Sequence, residues 1–236
     1  GVYRTFMEGW MAMPVITGQK SDSERFAGAV RTYSCEAMMQ DRKALQAGTS
    51  HHLGQNFAKA FDLKFQNEAG EMAFAWNTSW GVSTRMVGGL VMTHGDDNGL
   101  RVPPKLAPIE IVIVPIFRKD EERDRVVGAA HKLRDELQAW VGRGATDCLR
   151  LKVDAREGMK PGAKYYEWEL RGVPLRLELG PRDLDQNSVM TARRDTRERA
   201  PLSMVDLAPQ LAKLLETIQA QMFTDAKARR DAATVR

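Results

Sequence analysis

The stretch at residues 77–89 brings a glycine and an arginine together where a predicted strand gives way to a predicted helix over 83–93. Gly81 has no Cβ, so a flat ring could approach its backbone closely. The start of a helix presents unpaired N–H groups and a positive dipole end, to which Arg85 adds a permanent charge. The pattern suits an adenine ring on the backbone with phosphates at the arginine. The alternative is a buried strand leading into a core helix, with Arg85 in a structural ion pair.

Small, polar and imidazole groups end a second predicted strand, over 44–50. Because side chains alternate along a strand, Gln46 would face one way and Thr49 and His51 the other, unless the strand bends and turns all three towards one cleft. The adjacent His51 and His52 could suggest zinc, but neighbours in a strand point apart and no third ligand stands at a useful spacing. A polar pocket is favoured, and a structural histidine is the alternative.

Glu36 places a carboxylate inside an apolar predicted strand over 31–39. A buried carboxylate costs free energy unless it is paired or bound to a metal. An arginine partner is the commoner solution, and Mg²⁺ shared with ATP is the alternative.

Aromatic and charged residues interleave over 161–183. Such rings can stack on unpaired bases while the cations hold phosphates. Glu169 and Glu178 could accept hydrogen bonds from guanine N1 and N2. The alternative, favoured for any single residue, is an amphipathic helix that packs its rings on a sheet. The turn at Arg193 and Arg194 is predicted to be solvated and tolerant of phosphate.

The predicted secondary structure that positions these residues differs between the two halves of the chain. Alternating patterns in the first half predict antiparallel strands, with a loop over 18–25. After residue 108, strands alternate with helices, which predicts a three-layer α/β domain with a mixed sheet. Further strands are predicted over 61–66, 71–80, 109–116, 148–153, 173–179 and 187–192, and helices over 3–13, 161–171 and from Leu207 onwards. A helical stripe is also predicted from the apolar residues Val126, Ala130, Leu133, Leu137 and Val141.

Composition narrows the class of protein. A net charge of +4 and a pI near 9.1 permit a nucleic-acid partner without requiring one. Cys35 and Cys148 are too far apart for a CxxC pair and fit reduced, cytosolic thiols. No apolar run reaches the roughly 20 residues that cross a bilayer, and no signal peptide is predicted. The opening, Gly1 without an initiator methionine, predicts a fragment.

Taken together, the sequence resembles the C-terminal half of class II prolyl-tRNA synthetases of the type shared by archaea, eukaryotes and some bacteria. The resemblance runs from about residue 3 to the final helix. Its most specific segments are residues 26–29, 36–39, 44–51, 53–57, 78–85, 92–97, 173–176 and 180–183.

In this family the stretch around Gly81 would be motif 3 of the catalytic fold. The resemblance implies that Arg85 contacts the ATP γ-phosphate and that Gly81 lies against adenine. Gln46 and Thr49 would contact the nucleotide or the prolyl-adenylate. The residues that would line the proline pocket are Phe26, His51, Trp80 and Ser83.

The second half resembles the α/β anticodon-binding domain of class IIa synthetases, which reads the G-G bases of the proline anticodon. The residues that would make these contacts are Lys164, Glu169, Arg176 and Arg182. Two departures stand out. The family usually has Asp-Gly-Arg where this chain has Asp-Arg-Lys at 41–43, and Pro-Gly-Trp-Lys where it has Pro-Gly-Ala-Lys at 161–164. The second removes an aromatic ring from the expected RNA contact.

The fold class implied is α/β (α+β). An antiparallel-sheet class II catalytic core fragment is expected over 1–102, followed by a linker over 103–108. A three-layer α/β mixed-sheet anticodon-binding domain with the C-terminal helix is expected over 109–236. Nothing matches the family's motif 1 or motif 2, so the chain alone is expected to be inactive.

The resemblance implies a cytoplasmic, homodimeric ligase of protein biosynthesis that uses ATP and Mg²⁺ to join L-proline to tRNA(Pro). It implies no membrane partner and no metal held by these residues. One alternative is a synthetase-derived RNA-binding or regulatory protein that uses residues 108–236. Another is a class IIa enzyme for threonine or glycine, although His51 with Phe26 and Trp80 favours a small apolar ring.

Overall fold

The computed structural model describes residues 1–142 and 148–234. Contacts divide the chain into two compact units. The first comprises Gly1–Gly9, Met13–Thr93 and Arg229–Arg236, and the second Trp10–Ala12 and His94–Ala228. The division after Thr93 precedes the predicted linker over 103–108.

The first unit is built on a four-stranded antiparallel sheet and a separate two-stranded hairpin. The unit's elements in chain order are α1 (Val2–Gly9), β1 (Val15–Gln19), β2 (Arg31–Met38), β3 (Ala44–Gly54), α2 (Asn56–Ala60), β4 (Lys64–Gln66), β5 (Met72–Phe74), β6 (Asn77–Gly81) and α3 (Arg85–His94). The strand order of the sheet is β1-β2-β3-β6, and the hairpin is β4-β5.

The predicted strands over 31–39 and 44–50 and the helix over 83–93 are confirmed. Other predictions are corrected. Residues 71–80 form two strands rather than one, and only the first of them pairs in the predicted hairpin. Val15–Gln19 is an edge strand that extends into the predicted loop. The first helix ends at Gly9 rather than at residue 13. Ala12 has a φ of 50°, which lies outside the right-handed helical region, so the helix cannot extend through it.

A β-bulge in β3 decides which side chains share a face. Cys35 pairs with Gly48 and Glu36 with Gln46, so Ala47 is an extra residue without an opposite partner. A bulge of this kind shifts the alternation of side chains by one position. Gln46 therefore lies on the same face of the sheet as Thr49 and His51.

The second unit is built on a five-stranded mixed sheet. The unit's elements are β7 (Ile111–Pro115), α4 (Asp120–Ala139), β8 (Leu151–Val153), α5 (Pro161–Leu170), β9 (Leu175–Leu179), α6 (Pro181–Asp185), β10 (Ser188–Arg193), β11 (Arg199–Ser203) and α7 (Leu207–Ala233). The strand order is β11-β10-β9-β7-β8, and β7 is parallel to both of its neighbours. The predictions did not include α6 or β11.

Two hydrophobic clusters show why the sheet is sandwiched between helices. Ile111 and Ile113 pack with apolar residues of α4 and α7, and Val112 packs with Trp168 of α5. Alternate residues of β7 thus point to opposite layers, as expected for a strand buried on both faces. The predicted three-layer architecture with a mixed sheet is confirmed.

Candidate functional site

The junction between β6 and α3 has the predicted form. β6 ends at Gly81 and α3 begins at Arg85. Ser83 Oγ accepts a hydrogen bond from the Arg85 backbone N–H at 3.3 Å. A Cβ at position 81 would approach only Thr49 Oγ1, at 4.0 Å, so the strand backbone is open to a ligand.

The side chain of Arg85 is available to bind an anion. The residue is exposed, and its Nη1 lies 3.4 Å from the Gln46 carbonyl oxygen. Within the described ranges, no carboxylate forms an ion pair with this guanidinium. The geometry therefore favours the ligand-binding interpretation over the structural ion pair.

Three polar residues of β3 share one face of the sheet. Across β2, Gln46 is paired with Glu36 and Thr49 with Ser34, and Ser34 Oγ donates to Glu36 Oε1 at 3.0 Å. His51 follows Thr49 at the next position of that face. The prediction that Gln46 faces away from the other two is wrong, and the alternative of a strand that turns all three towards one side holds because of the bulge.

The pairing of β3 with β6 divides the predicted proline pocket. His51 pairs with Ser79, whereas Trp80 pairs with Ser50 on the opposite face. Trp80 is 73% exposed and lines a cavity of about 740 Å³ on that opposite face. The structure therefore does not bring Trp80 to His51. It brings Ser79 there, which sequence reasoning missed because the register was not known.

Phe26 and His51 do come together. Their ring centroids are 4.8 Å apart, with an interplanar angle of 40°. Phe57 of α2 extends the row, 6.3 Å from the Phe26 ring. Ser83, the remaining predicted member, is exposed and caps α3 instead. Of the four predicted residues, the structure thus brings two, Phe26 and His51, into direct contact.

No metal centre is evident among the residues that the structure describes. His51 and His52 lie on opposite faces, and no group of three His, Cys, Asp or Glu side chains converges in that part of the chain. Glu36 has no arginine partner there, so that prediction is wrong. Mg²⁺ commonly binds through one or two carboxylates together with substrate phosphates, and Glu36 supplies a carboxylate on the Gln46 face.

In the second unit, a buried cluster of charges surrounds Arg176. Its Nη1 donates to Glu169 Oε1 at 2.8 Å and its Nε to Glu178 Oε1 at 3.2 Å. Its guanidinium lies 3.9 Å from the centroid of the Tyr165 ring. Arg199 donates to the other oxygen of Glu178. Burial, together with the charge of Glu178, raises the pKa of Tyr165 to about 12.

The four predicted anticodon-binding residues are placed differently. Glu169 has a side chain 40% exposed beside the mostly buried Arg176. Arg182 is exposed on α6. Lys164 is buried, and its Nζ donates to the Asp154 carbonyl oxygen at 3.0 Å. Burial lowers the pKa of Lys164. The predicted contact of Lys164 with RNA therefore conflicts with its position inside the unit.

The turn after β10 is not the solvated arginine hairpin that was predicted. The side chain of Arg194 is only 4% exposed, and its Nη2 lies 2.6 Å from Asp96 Oδ1. Arg193 donates two hydrogen bonds to Asp195. The hydrogen bonds from Arg194, with others from Arg101, hold the pKa of Asp96 well below its usual range. Both arginines therefore form ion pairs inside the second unit, and Asp96 joins the segment after α3 to the turn after β10.

Asp154 makes the stability of the second unit sensitive to acid. Burial alone would raise the pKa of this carboxyl, but hydrogen bonds from Arg156 and Trp168 outweigh it and lower the pKa from 3.8 to about 2. A lowered folded-state pKa contributes stability that is present above pH 3.8 and is lost as the pH falls towards 2. The contribution is about 2 kcal/mol.

Replacing Asp154 with asparagine should therefore destabilise the second unit at pH 6 by more than it does near pH 2. Hydrogen exchange of α5 and β8 at several pH values measures the difference. Asp135→Asn, at an exposed ion pair on α4, is the control and should follow the wild type. An Asp154→Asn protein that loses stability between pH 4 and pH 2 as steeply as the wild type would contradict the assignment.

Comparison with known proteins agrees with this architecture. Residues 110–214 match the family described as "Anticodon binding domain". The matched residues lie within the second unit, which is therefore similar to that class of domain. Separately, none of the described helices is both long and apolar enough to cross a membrane.

The particular relatives are proline–tRNA ligases. The chain is 51% identical to the "Proline--tRNA ligase" of Roseiflexus castenholzii, over 99% of this chain and 48% of that protein. It is 52% identical to that of Chlorobium phaeobacteroides, over 99% of this chain and 47% of the relative. The chain is a homologue of these ligases, which confirms the resemblance, and it spans about half the length of the curated relatives it matches.

Proposed function

We propose that this chain is part of a proline–tRNA ligase, a cytoplasmic homodimer that activates L-proline with ATP and transfers it to tRNA(Pro). In this proposal the first unit supplies part of the adenylation site and the second unit binds the anticodon. The observation that carries the proposal is the single sheet face on which Gln46, Thr49 and His51 lead to the open backbone of Gly81 and the exposed Arg85. Extensive identity to ligases of that name supports the choice of proline.

The reaction has two steps. The proline carboxylate attacks the α-phosphorus of ATP and pyrophosphate leaves, which forms prolyl-adenylate. A terminal ribose hydroxyl of the tRNA then attacks the acyl carbon, loses its proton, and AMP leaves. Mg²⁺ bound with ATP neutralises charge on the phosphates.

The residues of this chain would act by binding and orientation, which can contribute most of the rate enhancement in such a site. Gly81 leaves room for adenine, and Arg85 holds the γ-phosphate. Gln46 and Thr49 bind the nucleotide. The rings of Phe26 and His51 enclose the small pyrrolidine ring of proline.

The second unit would bind the anticodon through the surface that Glu169 and Arg176 form. Glu169 exposes a carboxylate that can accept hydrogen bonds from a guanine edge. The mostly buried Arg176 holds that carboxylate in place by donating a hydrogen bond to its Oε1. Arg182, exposed near the end of β9, would hold phosphate. Lys164 supports the start of α5 from inside and is not part of this proposed surface.

Pyrophosphate exchange into ATP by the full-length protein tests the proposal. We expect exchange that depends on proline, with threonine and glycine at least about 100-fold less effective as judged by kcat/KM. Exchange with threonine or glycine instead would replace the proposed substrate. Binding of tRNA(Pro) without exchange of any kind would favour an RNA-binding protein that uses only the second unit.

Lys20 offers a specific prediction about the nucleotide site. Its Nζ donates to Gln46 Oε1 at 2.8 Å, and because an ammonium only donates, the amide must turn its oxygen towards Lys20. The Nε2 of Gln46 is then directed away from Lys20 and can bind an acceptor on the nucleotide.

Lys20→Met in the full-length protein should raise the KM for ATP about tenfold, since a hydrogen bond to a charged group contributes roughly 1.5–3 kcal/mol. The KM for proline should stay within twofold. Lys59→Met, an exposed position on α2, is the control. Equal changes in both KM values, or none, would remove Lys20 from the nucleotide site.

A further inference from the structure

Thr32 hydrogen-bonds to both ring-bearing residues of the proposed amino-acid pocket. It lies on β2, directly opposite His51, and is 1% exposed. Its Oγ1 accepts the backbone N–H of Phe26 at 3.2 Å and lies 2.9 Å from His51 Nδ1. One buried hydroxyl therefore joins the loop that carries Phe26 to the strand that carries His51.

The two hydrogen bonds determine where the proton of His51 lies. The Phe26 N–H can only donate, so it occupies a lone pair of the Thr32 hydroxyl. If His51 Nδ1 donated as well, the hydroxyl proton would be buried without an acceptor, which is unfavourable. The hydroxyl therefore donates to Nδ1, and the proton of the neutral ring is on Nε2. Across the described ranges, Nε2 has no hydrogen-bond partner within the chain.

The bond to Phe26 matters because packing alone does not fix that residue. The side chain of Phe26 is 49% exposed, and its neighbours in the loop form a turn in which the Ala29 N–H donates to the Phe26 carbonyl. The Thr32 hydroxyl attaches this turn to the sheet. It thereby keeps the Phe26 ring 4.8 Å from the His51 ring.

We propose that Thr32 is a positioning residue for amino-acid binding. It holds Phe26 against His51 and fixes the tautomer in which His51 Nε2–H can donate to a carboxyl or carbonyl oxygen of the bound amino acid. The inference deepens the proposed function and rests on it, because it assumes that Phe26 and His51 enclose the amino acid. A threonine inside a strand gives no sign of this role in the sequence, since both partners are reached only through the fold.

Two substitutions in the full-length protein separate the hydroxyl from the shape of the side chain. Thr32→Val keeps the β-branched shape and removes the hydroxyl, whereas Thr32→Ser keeps the hydroxyl. We expect Thr32→Val to raise the KM for proline at least tenfold in pyrophosphate exchange while the KM for ATP changes less than twofold. Thr32→Ser should stay within threefold of the wild type. A merely structural role would lower the active fraction, and so kcat, with both KM values unchanged.

The ring-nitrogen signals of ¹⁵N-labelled histidine provide a readout that needs no substrate, with His51→Asn to assign the resonance. The wild type should show Nε2 protonated and Nδ1 unprotonated, and Thr32→Val should lose that preference. A wild-type His51 protonated on Nδ1, or an unchanged proline KM in Thr32→Val, would overturn the proposal. A wild type that shows this tautomer but no proline-dependent exchange would contradict the proposed function and, with it, the role in amino-acid binding.

Discussion

Arg85→Ala in the full-length protein should lower kcat/KM for ATP in proline-dependent pyrophosphate exchange by about 10²- to 10³-fold, the loss typical when one preorganised charge-stabilising donor is removed. The guanidinium stands exposed at the start of α3, within reach of the Gln46 carbonyl. Because it is exposed, the substitution should change the free energy of unfolding by no more than about 0.5 kcal/mol. The effect would therefore come from the site rather than from the fold.

Two variants complete this experiment. Arg85→Lys keeps a charge but loses the forked donor geometry, so its kcat/KM should fall between those of Arg85→Ala and the wild type. Arg31→Ala removes an exposed arginine from β2 on the face opposite His51 and should leave exchange unchanged. If Arg85→Ala kept the wild-type kcat/KM for ATP, Arg85 would not bind phosphate.

Arg176→Met should destabilise the second unit by about 3 kcal/mol, because it leaves the buried carboxylate of Glu178 with only one of its two cations. Transfer of proline to tRNA should fall with it, since Arg176 also positions Glu169. Pyrophosphate exchange, which needs only the first unit of this chain, should change little. Hydrogen exchange of α5 and β9 measures the stability, and charging assays measure the transfer.

Arg182→Met is the matched control, an exposed arginine on α6 whose guanidinium forms no ion pair in the described ranges. It should leave stability within about 0.5 kcal/mol of the wild type. Because Arg182 is proposed to hold a phosphate of the tRNA, its replacement should lower charging without this loss of stability, and unchanged charging would remove Arg182 from the proposed surface. Unchanged protection of α5 and β9 in Arg176→Met would contradict the role of the buried cluster.

Local patterns were sufficient to predict much of the fold. The β-branched run predicts β7 and the apolar stripe predicts α4, since each pattern is complete within a short segment of the chain. Both elements are present in the structure. The β6–α3 junction could also be predicted from the sequence, because Gly81 and Arg85 lie four positions apart in one segment. Prediction succeeds where the determining interactions are close in sequence.

The errors arise where a distant partner decides. Arg194 looked solvated because its partner, Asp96, is 98 residues away in the chain. Gln46 was placed on the wrong face because the bulge depends on how β3 pairs with β2. The resemblance placed Trp80 beside His51, whereas the pairing of β3 with β6 puts Ser79 beside His51 and Trp80 on the opposite face. In each case the pairing of remote segments, which no local pattern encodes, fixes the side chain.

Charging of tRNA(Pro) with radiolabelled L-proline by the full-length protein tests whether the chain is part of a proline–tRNA ligase. We expect acid-precipitable prolyl-tRNA that forms only with ATP, proline and tRNA(Pro) together, and that is lost in Arg85→Ala. A full-length protein that binds tRNA(Pro) but forms no prolyl-tRNA under these conditions would contradict it.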